Sequence, residues 1–349
     1  VDNRVLYAVL NWGLGHATRS VPIIESLLHF GGEVEITSSG GALSYLKKRF
    51  PSLRFHALPD REVLYSKKGA QAGLLKRAFV QSTINKDQNK FIRKIVVERK
   101  ITHLVSDNVY GAYDQRIPSV LISHQLSLKL PFGESPINAK LAAWINRFSE
   151  VWIPDGSNHL VSGDLAANHK VSIRVQHLGI PSRFWPRRDT EKKFSIGVVL
   201  GGPEPQRSIL EERILEILAT VEGRKILFRG SEKSGPMQRD GIDIDGMGDG
   251  NEMAEKLSAC ELVIGRSGYS TLCDFLAIGA KALLIPTPGQ TEQEYLAKRM
   301  KELPQFSCCA QDKLDANAIH AALSGLPSSA EIFELFTTES KVVRDFLGS

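Results

Sequence analysis

Apolar and polar positions along this chain follow two alternating periods. Short apolar runs rich in Val, Ile and Leu predict buried strands at 5–10, 33–37, 54–58, 103–106, 119–122, 150–153 and 175–178. A second series follows at 195–200, 225–229, 242–244, 262–265, 282–285 and 306–310. Between them, apolar residues recur every third or fourth position and predict helices over 18–30, 42–48, 88–99, 210–220, 253–259, 271–279 and 292–303. Strands that alternate with helices build parallel sheets. There are too many strands for one compact Rossmann sheet, and each series opens with a strand that runs straight into glycines, after Leu10 and after Leu200.

The pattern therefore predicts two Rossmann-like α/β domains, residues 1–180 and 194–325. The stretch 181–193, with Pro181, Pro186 and a run of charges, reads as the linker. After a Leu-Pro-Ser-Ser break, a helix over 328–347 closes the chain, with residues 326–349 expected to pack back on the N-terminal domain.

Composition adds bounds. A chain of 349 residues with 42% hydrophobic and 24% charged residues buries sizeable cores. No apolar run approaches the ~20 residues of a membrane span, and no signal peptide is visible. The four cysteines, Cys260, Cys273, Cys308 and Cys309, lack C-x-x-C spacing and read as buried thiols of a reducing cytoplasm.

Charge is uneven. Residues 1–184 carry 24 Lys and Arg against 14 Asp and Glu, whereas the remainder carries 20 against 25. The excess is densest over 61–100, with 11 basic and three acidic residues. A solvated helix face accounts for such a run, and so does contact with a membrane surface or an anionic substrate. Aromatics do not interleave with the basic residues, which argues against nucleic acid as a partner.

Chemistry gathers in the loops that follow strands. In the first, Gly13-x-Gly15-His16-x-x-Arg19, glycines shape a turn and a helix start offers its N–H groups. His16 at that mouth is either a plain helix-start residue or a general base near neutral pH. Asp107 and His124 also follow strands, so both are candidates to join His16 at one sheet edge. The second domain repeats the design. Gly201-Gly202 leads into Arg207, a candidate phosphate partner. In Arg266-Ser267-Gly268-Tyr-Ser270-Thr271-x-x-Asp274, a polar glycine loop opens a helix whose dipole favours an anion. Thr271-x-x-Asp274 fits a capping box loosely, so Asp274 reads either as a cap or as a carboxylate for ribose hydroxyls. Thr291-x-x-Glu294 fits a capping box as well, and Glu292 and Gln293 lie on that first turn, with the Gln293 amide suited to sugar hydroxyls. Asp243-x-Asp245 has the form of a metal-binding pair but lies in a short strand-to-loop stretch, and no metal site is assigned.

These motifs resemble, in order and along nearly the whole chain, those of the two-domain GT-B glycosyltransferases, in the MurG-like branch of family 28 type. The resemblance implies an α/β GT-B fold, two Rossmann-like domains with parallel sheets facing across a cleft. It implies an acceptor-binding first domain and a second domain that holds a UDP-sugar, with no metal or other cofactor. By resemblance the catalytic set is His16, Asp107 and His124. The donor set is Gly13, Gly15, Gly201, Gly202, Arg207, Arg266, Ser267, Gly268, Ser270, Thr271, Asp274, Glu292 and Gln293. Asp274 stands where the family carries Glu, one methylene longer, and Glu294 stands at a glutamine position. The implied reaction is an inverting displacement onto an unknown hydroxyl acceptor, lipid-linked or glycan, in the cytoplasm or at the inner membrane face, with peripheral membrane contact through the basic half. Three alternatives remain: a nucleotide-sugar hydrolase like that of pseudaminic acid synthesis, a 2-epimerase of the same fold, and a degenerate sugar-nucleotide-binding protein.

Overall fold

A computed structural model describes residues 3–59, 74–128, 134–185, 190–202, 204–230, 236–246, 250–327 and 333–348. The chain divides into two compact units, Val1–Pro181 with Glu334–Ser349, and Ser182–Phe333.

The first unit runs β1 (Arg4–Val9), α1 (Gly15–His29), β2 (Glu33–Ser38), α2 (Gly40–Arg49), β3 (Arg54–Ala57) and α3 (Leu74–Glu98). It continues through β4 (His103–Asp107), β5 (Ser119–Ile122), α4 (Glu134–Ile145), β6 (Glu150–Ile153) and β7 (Arg174–His177). Its seven strands form one parallel sheet in the order β3-β2-β1-β4-β5-β6-β7. Both faces are covered, which is why β1 is apolar at nearly every position rather than alternating. Val5, Tyr7 and Val9 pack with Val21, Ile24 and Leu27 of α1. Leu6 and Ala8, on the other face, pack with Ile92, Ile95 and Val96 of α3. Each such aliphatic side chain taken from water contributes about 1.5–3 kcal/mol before the entropy of ordering is subtracted.

The second unit holds β8 (Phe194–Val199), α5 (Gln206–Leu218), β9 (Lys225–Phe228), β10 (Met237–Arg239), β11 (Ile242–Asp245) and α6 (Gly250–Ser258). Then come β12 (Cys260–Gly265), α7 (Tyr269–Ala277), β13 (Ala282–Leu284), α8 (Thr291–Met300), β14 (Phe306–Cys308) and α9 (Ala316–Gly325). The sheet order is β10-β11-β9-β8-β12-β13-β14, parallel except for the β10 edge. Its core joins Ile196 and Val198 of β8 to Leu210, Ile214 and Leu218 of α5.

The chain then returns to the first unit. Leu335 bridges Ile180 in parallel, and α10 (Lys341–Leu347) buries Val343 and Leu347 in the core under α1. Phe346 lies edge-on to Trp152 and to His103.

Several expectations change. The terminal helix is shorter than 328–347: residues 328–332 lie outside the described part, and the Leu335 bridge keeps its neighbourhood extended. The linker expected over 181–193 is partly built into the second unit, which begins at Ser182, while 186–189 lie outside the described residues. Residues 60–73 of the basic stretch, and Pro203 of the second glycine turn, also lie outside. Cys260 and Cys273 are buried, but Cys308 and Cys309 are only half-buried because β14 stops at Cys308.

Candidate functional site

In each sheet the chain walks outward from its first strand and then crosses to that strand's other side. The crossing falls between β1 and β4 in the first unit and between β8 and β12 in the second. Loops diverge at such a switch point and leave a crevice at the carboxyl ends of the strands, where open α/β sheets hold ligands.

The first crevice carries a fully connected buried cluster. Register places Val9 of β1 beside Asp107 of β4. Gly13 takes φ +65° in the intervening turn, a conformation that disfavours a side chain. The turn delivers His16 to the first turn of α1, and helical spacing puts Arg19 and Ser20 on the same face. Arg19 is the hub. Its Nε donates to Asp107 Oδ2 at 2.8 Å, its Nη2 donates to Asp107 Oδ1, and its Nη1 donates to His124 Nδ1 at 2.9 Å. Ser20 Oγ donates to Asp107 Oδ2 at 3.1 Å. His16 Nδ1 lies 2.7 Å from Asp107 Oδ1.

Proton positions follow from these partners. A guanidinium only donates, so His124 Nδ1 accepts and its proton sits on Nε2. His16 Nδ1 meets both Asp107 Oδ1 at 2.7 Å, which only accepts, and Arg19 Nη2 at 2.9 Å, which only donates. The Nδ1–H tautomer serves the shorter contact and keeps the Nε2 lone pair, with Arg19 Nη2 spent on the carboxylate. Asp107 is fully buried and Arg19 nearly so. Burial by itself would raise the Asp107 pKa, but Arg19 and then His16 outweigh it and hold the carboxyl well below the usual range. Burial, and then the Arg19 charge, hold the His16 imidazole below its ordinary value against the pull of Asp107. At neutral pH the cluster thus holds one carboxylate, one guanidinium and an uncharged His16, a group able to accept a proton.

The loops and helix starts after β8, β12 and β13 carry the remaining donor-set residues, the first-unit glycines Gly13 and Gly15 excepted. Gly201 and Gly202 end β8, and Gly202 takes φ +98°. Arg266 at the end of β12 is 2% exposed, and its guanidinium reaches only backbone carbonyls. Nη2 donates to Gln206 O at 2.9 Å, and Nη1 donates to Ile285 O and Pro286 O, both at 3.2 Å. Burial lowers its pKa to about 10. Around this cation three buried polar atoms have no hydrogen-bond partner: Arg266 Nε, Gln206 Oε1 and Thr287 Oγ1. An anion with acceptor oxygens suits Arg266 Nε and Thr287 Oγ1, which donate, whereas Gln206 Oε1 suits a hydroxyl or other donor beside it. Sequence reasoning missed Gln206 and Thr287, because only the fold brings the ends of β8, β12 and β13 together.

Other candidates are engaged locally. Ser267 Oγ donates to Gln293 O at 2.8 Å, and Gln293 Oε1 accepts from the Thr287 N–H at 2.9 Å. Gln293 Nε2 donates to Gln290 Oε1 at 2.6 Å, so this amide braces two loops. Arg207 is paired with Glu204 and Glu211. Neither capping box forms. α7 starts at Tyr269 with Gly268 as its N-cap, and the N-cap of α8 is Gln290. Glu294 Oε1 instead accepts from the Gly289 N–H at 3.2 Å. Asp274 lies inside α7, where Oδ1 accepts from Ser182 Oγ at 2.7 Å and Oδ2 from Arg183 Nε at 3.1 Å. Burial raises its pKa despite Arg183. Ser270, Thr271 and Glu292 lie partly exposed on the first turns of α7 and α8. Asp243 pairs with Arg224 and Asp245 with Lys256, and among the described residues no group of three or more His, Cys, Asp or Glu is placed to hold a metal.

Two parallel-sheet α/β units, each with its loops at a switch point, define the GT-B class, and comparison with known proteins relates each half to a glycosyltransferase family. A model described as Glycosyltransferase family 28 C-terminal domain matches residues 206–342, and one described as Glycosyl transferase family 1 matches residues 3–150. The chain is thus similar to the MurG-like glycosyltransferases, on a fold of the GT-B class. A relative from Bartonella quintana (strain Toulouse), a UDP-N-acetylglucosamine--N-acetylmuramyl-(pentapeptide) pyrophosphoryl-undecaprenol N-acetylglucosamine transferase, is 29% identical over 98 residues, 22% of this chain and 26% of the relative. The match thus spans about a quarter of that relative's length. A transferase of the same name from Caldicellulosiruptor saccharolyticus is 22% identical over 355 residues, 89% of this chain and 94% of the relative. Among solved structures, the glycotransferase of kitacinnamycin superposes with a TM-score of 0.66 at 13% identity, covering 99% of this chain and 93% of that one. No helix among the described residues is long and apolar enough to cross a membrane.

Proposed function

We propose that the protein transfers a sugar from a UDP-sugar to a hydroxyl acceptor with inversion at the anomeric carbon. The observation that carries this reading is His16, whose Nδ1 is fixed by Asp107 while Nε2 keeps its lone pair. The acceptor hydroxyl gives its proton to His16 Nε2 as its oxygen bonds to the anomeric carbon. The bond from that carbon to the diphosphate oxygen breaks, and UDP leaves. Its charge is met by Arg266, the Gly201-Gly202 turn and the N-terminus of α7, an arrangement that assigns no role to a divalent cation. Asp107 and Arg19 act through His16, and His124 stands beside them with its Nε2–H as a donor.

The relatives' names, which specify UDP-N-acetylglucosamine and a pyrophosphoryl-undecaprenol acceptor, support UDP as the nucleotide and a lipid-linked pyrophosphate as the acceptor. Asp274 takes the ribose role in this reading: Ser182 Oγ already donates to it as a ribose hydroxyl does, and exchanges with one. Glu294 is a carboxylate where an amide is usual, which leaves the donor sugar open.

Calorimetric titration with UDP, UDP-sugars and the matching GDP and dTDP compounds, with and without a chelator, tests this reading. Metal-independent UDP binding that one sugar strengthens, followed by turnover only when an acceptor is added, is the expected result. Sugar release in water alone identifies a hydrolase instead. Absence of nucleotide binding overturns both.

A further inference from the structure

The loop after β13 is paired down to a single side-chain atom. The Ile285 N–H donates to Gly265 O at 2.9 Å, and the Ile285 and Pro286 carbonyls both accept from Arg266 Nη1 at 3.2 Å. The Thr287 N–H donates to Gln293 Oε1 at 2.9 Å, and Thr287 O accepts from the Gln290 N–H at 3.1 Å. Proline has no N–H, so every backbone donor and acceptor from Ile285 to Thr287 is spent. Pro286 and Pro288 fix φ on either side, and a β-branched side chain has few rotamers to choose from. What is left is the Thr287 hydroxyl: the residue is 2% exposed, and its Oγ1 has no hydrogen-bond partner. A buried polar atom without a partner is costly, and a loop held this firmly does not keep one for packing alone.

The hydroxyl faces the Gly201-Gly202 turn of the same unit. A Cβ on Gly202, which takes φ +98°, would stand 3.9 Å from Thr287 Oγ1, and no other described atom beyond the turn's own neighbours would lie within 4 Å. A Cβ on Gly201 would meet nothing within that distance. Bare backbone and a buried hydroxyl therefore face each other across a gap that any side chain at position 202 would narrow. Charge decides what suits that gap. Arg266, whose Nη1 holds the carbonyl next to Thr287, is buried, has an unpaired Nε, and is paired with no carboxylate among the described residues. A desolvated guanidinium without a counter-ion favours an anion, and a phosphoryl oxygen accepts from a hydroxyl beside it.

We propose that Thr287 is a specificity-determining residue of the donor site, its hydroxyl donating to a phosphoryl oxygen of the donor's diphosphate seated between Thr287 and the Gly201-Gly202 turn. The inference rests on the nucleotide-sugar reading above and narrows it to a contact that reads phosphate rather than nucleoside. It also gives Gln293 a task. Both ends of that amide are engaged, Oε1 with the Thr287 N–H and Nε2 with Gln290 Oε1, so Gln293 is a positioning residue for Thr287.

The test titrates the full chain with UDP, UMP and uridine, and with dTDP, dTMP and thymidine alongside, so that the choice of base does not hide recognition of the phosphates. Thr287→Val keeps the shape and removes the hydroxyl. It should weaken UDP binding about tenfold or more and leave uridine binding unchanged, while Thr287→Ser retains the UDP affinity. Without ligand, Thr287→Val should melt at the same temperature as the parent or higher, because the atom removed had no partner; a purely structural threonine does the reverse. A loss on both UDP and UMP puts the hydroxyl at the first phosphoryl group, and a loss on UDP alone puts it at the second. Equal affinities in parent and Thr287→Val, or a loss that uridine shares, overturns the proposal and leaves the donor reading in place. A parent that binds none of these compounds overturns the donor reading and the proposal with it.

Discussion

Arg19 decides what the first crevice can do. It is buried, it is bidentate on Asp107, and it holds the carboxylate that meets His16 Nδ1 while its own Nη2 lies 2.9 Å from the same nitrogen. His16→Ala should therefore lower kcat by about 10²–10⁴ while leaving the UDP Kd unchanged, since the imidazole serves only proton transfer. An unaltered kcat removes His16 from the reaction. Asp107→Asn should do something different. It strands a buried guanidinium, and breaking such a pair costs about 3–5 kcal/mol, readable as a fall in the urea midpoint. Acid acts in the same direction. Because the folded His16 pKa lies below its ordinary value, kcat/KM should stay level down to about pH 6.5 and decline only below it. Stability should fall there too. The unfolded imidazole protonates first, and the stabilisation from the depressed Asp107 pKa is lost on further acidification below its ordinary value of 3.8. His16, Asp107 and His124 were legible in the sequence because each follows a strand. Their hub was not: Arg19 meets Asp107 and His124 across 88 and 105 residues, and no local spacing encodes such a contact.

Among the elements, α7 shows where local pattern misleads. Thr271-x-x-Asp274 has the spacing of a cap, yet the helix begins two residues before Thr271, and Asp274 turns to Ser182 and Arg183. Its raised pKa means that the ionised carboxylate is penalised by burial. The stability it lends is therefore greatest at low pH and is lost as pH rises through the raised value. Asp274→Asn should thus leave the ligand-free Tm unchanged or slightly raised at neutral pH, yet weaken UDP binding. A lower Tm with unchanged UDP affinity would make Asp274 a structural residue only. The parallel strands were legible because burial on both faces leaves near-continuous apolar runs. The β10 edge was not, because Met237–Arg239 is exposed and offers no alternation.

For the whole molecule, the doubled switch point explains why chemistry sits in the loops after β1, β4, β8 and β12. That architecture was legible from two strand series, each opening on glycines. The return of the chain was only half legible. A terminal helix was evident, but the bridge from Leu335 to Ile180 carries no periodic signal. Val343→Asp should destabilise the first unit by about 2–5 kcal/mol, as for loss of a buried aliphatic contact. Hydrogen exchange should then rise in β1 and α1 while β8 and α5 stay protected. Equal loss in both sheets would mean that the units unfold as one.

The second unit is thus inserted in the first, and this sets an order on biosynthesis. A nascent chain stopped after Gly325 already holds every strand of both sheets, but Trp152 and His103 still lack Phe346, and Asn3 lacks the Leu347 carbonyl it donates to at 2.9 Å. The domain that begins emerging from the ribosome first is the one completed last. Until then it waits with an open apolar flank.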